Sequence, residues 1–157
     1  MSDTKDSRRP HHGLRLEEAE IAIDSARAKG RELGLGPLTI AVLDNAGRLI
    51  ALKREDSSSL LRPDIAQAKA FGALAMGMGS RGLAERAQTH PAFVQSINAL
   101  AGGALIPVPG GVLAYDAEGL LLGAVGISGA LPDQDEVCAV AGIEAAGLTA
   151  ETGSRGH

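Results

Sequence analysis

The chain has 157 residues and a formal net charge of −4, which fits one domain rather than two. A chain of this size buries roughly two-thirds of the surface its unfolded form exposes, so no metal or disulfide is needed to hold it together. No basic stripe offers itself to a phosphate backbone, and Phe71, Phe93 and Tyr115 are too few aromatics for base stacking, which excludes nucleic acid as a partner.

Cys138 is the only cysteine, so no disulfide can form within the chain. The longest apolar stretch, Leu120–Ile127, is broken by Gly123 and Gly126 and falls far short of the ~20 residues of a membrane span. The polar start shows no apolar signal-peptide core, and the cytoplasm is the expected compartment.

Residues 1–13 read as a flexible N-terminal tail, 14–150 as the single domain and 151–157 as a second tail. Leu16–Leu33 has Leu16, Ala19, Ile23, Ala26 and Leu33 at helical spacing, with charges on the other face. Leu38–Asp44 and Arg48–Arg54 are predicted strands joined by the Asn45-Ala46-Gly47 turn, an antiparallel hairpin. Pro63–Met78 is an alanine-rich helix. Shorter helices follow at Arg81–Ala87 and, started by Pro91, at Ala92–Ala99. A short strand is expected at Ala104–Val108, then strands at Val112–Asp116 and Leu120–Ser128. A closing helix is expected at Pro132–Leu148, with Asp133, Asp135 and Glu136 in its first turn. Tight turns between successive strands predict an α+β domain, an antiparallel sheet covered by helices.

Four segments carry a family resemblance. Thr39–Asp44 with Ala46–Leu49 is similar to the first hairpin of the GlcG/HbpS family, and Asp64–Ala70 resembles its lysine-bearing helix. Pro107–Val112 resembles its glycine loop, and Gly123–Gly129 followed by Pro132–Glu136 resembles its last strand and helix start. Leu113 stands where the family often has proline. The resemblance implies a five-stranded antiparallel sheet flanked by helices, of PAS- or profilin-like build, and assembly into a homo-oligomer. It also implies haem or corrinoid-linked chemistry, since similar domains are appended to PduO-type adenosyltransferases.

Several residues could carry chemistry, each with a plainer alternative. Gly110-Gly111 either lets backbone N–H groups approach an anion or simply starts a strand tightly. Lys69 either pairs with a ligand carboxylate or propionate, or snorkels along the surface. His90, the only histidine in the predicted domain, could ligate haem iron or move a proton near neutral pH, or could cap a helix. His11, His12 and His157 fall in the tails and match no zinc spacing, so no metal centre is expected. Ser128, Asp133, Asp135 and Glu136 cluster at a strand end and helix start, as a ligand or base site or as helix caps. Arg54 and Arg62 either clamp a carboxylate bidentately or join a surface ion-pair cluster with Glu55 and Asp64. Cys138 reads as a small core residue.

The leading reading is a small-ligand-binding, homo-oligomeric protein of the haem-binding type. His90 or a Tyr115 phenolate would be the iron ligand, and the site is expected beside Gly110-Gly111. The alternative is a cofactor-independent lyase, isomerase or tautomerase of a catabolic pathway. There Arg54, Arg62 or Lys69 would hold a small carboxylic acid, and His90, Asp135 or Glu136 would move the proton. A non-catalytic scaffold domain is the third reading. For self-assembly, the alanine-rich helix is expected to offer a flat surface.

Overall fold

The computed structural model describes residues 13–154; of the tails expected at 1–13 and 151–157, positions 1–12 and 155–157 lie outside them, whereas Glu151 belongs to a strand and not to a flexible tail. Helix α1 (Leu16–Glu32) buries Ala19, Ala22, Ile23 and Ala26, with Glu17 and Glu18 in its first turn and Lys29 and Arg31 in its last, as the helix dipole favours. Strands β1 (Thr39–Asp44) and β2 (Leu49–Arg54) form the first hairpin. Its turn is closed by Asp44, whose Oδ1 accepts the N–H groups of Ala46 and Arg48. Asp116 does the same for the second hairpin, accepting from Glu118 and Leu120 between β3 (Gly111–Tyr115) and β4 (Leu121–Ser128).

Three helices connect the hairpins: α2 (Arg62–Met76), α3 (Ser80–Thr89) and α4 (Pro91–Leu100). Helix α5 (Pro132–Ala145) and the short strand β5 (Thr149–Glu151) close the fold. Among the described residues the sheet has the order β2-β1-β4-β3-β5, and every neighbouring pair is antiparallel. The architecture is α+β.

Strand alternation divides the core. Ile40, Val42, Val112, Val125 and Ile127 face α1 and α5, where they meet Ile23, Ala26, Cys138 and Ile143. Leu43, Leu113 and Ala124 face α2 and meet Ala70 and Ala73. On that side α2 lies directly on strand backbone. A Cβ at Gly126 would stand 1.9 Å from the Ala66 carbonyl oxygen, and one at Gly111 2.1 Å from that of Lys69. The small residues of α2 are therefore used inside the molecule. Ala66, Ala70 and Ala73 are fully buried, so they are not the flat self-association surface that their composition suggested.

Several elements differ from expectation. Ala104–Val108 is not a strand. Pro107 within it and Pro109 just after it have no N–H to give a ladder. The fifth strand is instead β5, which pairs with β3 at Leu113–Tyr115. Helix α5 stops at Ala145, not Leu148, in a Schellman motif. Gly147 takes φ +79° and donates to the Glu144 carbonyl, while Leu148 donates to that of Ile143. Gly77 ends α2 in the same left-handed conformation, before Met78.

Candidate functional site

The sheet end where β4 meets α5 gathers most of the expected residues. Because α2 sits so low on the glycines, Lys69 points into the interior rather than to solvent. Its Nζ donates to Asp135 Oδ2 and to the Ile127 carbonyl, both at 3.0 Å. The two side chains are 4% and 1% exposed. Asp135 Oδ1 accepts the Ala130 N–H at 2.9 Å. Burial pushes the Lys69 pKa down, against the pull of the Asp135 charge. Burial likewise pushes Asp135 up, opposed first by Lys69. Lys69 thus does not snorkel: its partners are internal.

The glycine loop closes on the same pair. Gly110 has φ +124°, and a Cβ there would lie 2.9 Å from Lys69 Nζ and 3.0 Å from the Ile127 oxygen. The Gly111 N–H is taken by Ser80 Oγ at 2.7 Å. Gly110 and Gly111 are buried against α2, with no ligand-sized space between. Their lack of side chains serves helix packing.

One layer nearer solvent, Arg62 Nη1 donates to Ser128 Oγ at 3.0 Å. Arg54 is exposed, and its Nε and Nη2 donate to the Ser58 carbonyl at 3.3 and 3.1 Å. The expected carboxylate clamp therefore has both arginines at one end of the sheet. Glu136 is held by Arg81 Nε at 2.9 Å, and Arg81 also pairs with Asp133. That arginine was not singled out from the sequence, nor were Ser80 and Ser58. A lone arginine or serine in a helix or loop carries no distinguishing pattern.

His90 stands apart from this cluster, at the α3–α4 junction, exposed. It lines a cavity of about 680 Å³ together with Met78, Arg86, Thr89 and Glu151. Its Nδ1 is 2.9 Å from Thr89 Oγ1. The Arg86 guanidinium lies over the Phe93 ring, 5.8 Å from its centre. Tyr115, the other expected iron ligand, packs against the α2-side core cluster. Among the described residues no helix is long and apolar enough to cross a membrane.

Comparison with known proteins matches this geometry to a family. A family model described as haem degrading protein HbpS-like covers residues 14–144. An uncharacterised 15.0 kDa protein of Citrobacter freundii, from the dhaT–dhaS intergenic region, is 26% identical over 131 residues, spanning 83% of this chain and 90% of that protein. The crystal structure of a PduOC–haem complex has a TM-score of 0.77 at 23% identity, covering 87% of this chain and 96% of the other. A double mutant of Streptomyces reticuli HbpS has a TM-score of 0.71 at 26% identity, covering 84% and 86%. With the family pattern running through nearly the whole folded region, the chain belongs to the HbpS-like family.

Proposed function

We propose that the protein is a homo-oligomeric binder of haem, with His90 as the iron ligand. The observation that carries this is the setting of His90. Its ring is exposed on a cavity whose volume falls within the usual ~300–1,000 Å³ of small-molecule sites. The Thr89 hydroxyl holds Nδ1, and in the tautomer where Nδ1–H donates to it, Nε2 is free to ligate. Met78 supplies a thioether to the same cavity, a donor that haem iron also accepts. Arg86 is placed to pair with a propionate, whereas Glu85 and Glu151 would repel one, so the propionates should lie on the Arg86 side. Bound haem would supply redox and oxygen chemistry at its iron, and the likeness to a PduOC–haem complex supports the choice of ligand.

The proton-transfer alternative finds less support, because Asp135 is sealed against Lys69 and Glu136 is tied to Arg81. Self-assembly rests on surface chemistry. Helix α4 carries no charged side chain, and Leu100 and Phe93 on it are 88% and 46% exposed. Separately, Leu49, Leu61, Ile65, Phe71 and Ile106 line a largely apolar groove of about 520 Å³. The buried, unpaired Cys138 is in keeping with a cytoplasmic protein.

Haemin titration of the purified chain tests the proposal. A saturable Soret band is expected, shifted and at least tenfold weaker in His90→Ala, with light scattering giving at least twice the mass of one chain. No Soret band, or one unchanged in His90→Ala, would remove His90 from this role.

A further inference from the structure

We propose that a second site, independent of His90, lies at the end of the sheet between Arg54 and Arg62, and that it binds a small monocarboxylate through these guanidinium groups and the hydroxyl of Thr39. Two buried side-chain atoms among the described residues have no hydrogen-bond partner: Thr39 Oγ1, on a residue with no exposed surface, and Ser58 Oγ, on one that is 5% exposed. Buried hydroxyls are almost always paired with protein, water or ligand, and no protein group of the described residues pairs with these two.

The sheet register puts these groups together. Thr39 lies opposite Arg54 on β2 and opposite Ser128 on β4. Directly opposed residues of antiparallel strands project to the same face. That face is the α2 side, because Gly126, two residues before Ser128, lies against Ala66 of α2. Arg62 comes in from the first turn of α2 and donates to Ser128. Arg54 grips the carbonyl of Ser58, the second orphan residue. One hydrogen bond is made by the Arg62 guanidinium and two by that of Arg54, out of five donors on each.

Charge selects an anion. The flanking Glu55 is spent on the Leu38 N–H and on Arg27, and Asp135 is spent on Lys69. Asp56 and Asp64 are the nearby carboxylates left to compete; both are exposed. Guanidinium donors from two sides and the hydroxyl of Thr39 suit a carboxylate, whose two oxygens each accept more than one hydrogen bond.

Thermal shift and calorimetric titration of the full chain with sodium acetate, against sodium chloride at equal ionic strength, test the site. The parent protein is expected to show a saturable, acetate-specific rise in Tm. Thr39→Val, which keeps the shape and removes the hydroxyl, should weaken acetate at least tenfold. Without acetate it should be no less stable than the parent, because the orphan is gone. Arg54→Gln, at an exposed position, should weaken acetate to a similar degree, and His90→Ala should leave acetate binding intact. Absence of a saturable shift in the parent, or unchanged acetate affinity in Thr39→Val and Arg54→Gln, overturns the proposal and leaves an ordered water as the partner of Thr39. Tighter binding of inorganic phosphate than of acetate overturns the assigned ligand class.

Discussion

Replacing Lys69 by methionine strips the cation from a carboxylate that is only 1% exposed. Asp135 would keep one hydrogen bond, from the Ala130 N–H. Removing one member of a buried ion pair typically costs about 3–5 kcal/mol, because the remaining charge stays dry and unpaired. Against a domain stability of about 5–15 kcal/mol, that loss is a large fraction of the total. For a chain of this size it corresponds to a drop of roughly 6–20 °C in Tm. The double variant Lys69→Met/Asp135→Asn should recover most of the loss, since the asparagine Oδ1 still accepts from Ala130 and no charge is buried. Burial already raises the Asp135 pKa above 3.8, and Lys69 is what holds it down. A carboxyl raised in the folded state adds stability that is complete below 3.8 and is lost as pH rises through its folded pKa. Without Lys69 that folded value climbs further, so the deficit of Lys69→Met should shrink as pH falls from 7 toward 5. Urea unfolding followed by circular dichroism, at both pH values, measures this. A cost below about 1 kcal/mol at pH 7 with an unchanged m-value, or a deficit that grows on acidification, would refute a dry, charged pair.

Gly126→Ala places a methyl 1.9 Å from the backbone oxygen of Ala66, so α2 must lift from the sheet; a loss of about 1–3 kcal/mol or more is expected in urea unfolding. Cys138 is fully buried, and burial pushes its thiol up to about 11. A thiol reagent at pH 8 should therefore leave the native protein unlabelled and modify it only on unfolding; rapid native labelling would mean that α5 opens readily.

Much of the fold was legible because local periodicity and turn chemistry agree with it. The Leu16–Leu33 pattern became a helix ending one residue earlier, and both Asp-led turns closed hairpins where expected. Strand β5 was not legible: at three residues, Thr149–Glu151 is too short to show a period of two, and it exists because β3 offers it an edge. The β-branched residues around Ile106 and Val108 read as strand by composition, but the prolines beside them deny the ladder its donors.

For the site, residue type alone singled out Lys69, Arg54, Arg62, Ser128 and Asp135; strand register brought Arg54 and Ser128 to one sheet end, and the first turn of α2 added Arg62. Type could not say what each would touch. Lys69 and Asp135 are 66 positions apart and became each other's partners only because α2 lies flush on the strand glycines and carries the lysine out of water. The same packing closed the space at Gly110-Gly111, and Thr39 is buried with no protein partner, while His90 lies on a separate cavity. Periodicity within each segment determined the elements and their antiparallel pairing. How closely the layers approach is a property of contacts distant in sequence, and it alone decided which polar groups are sealed and which stay open to a ligand.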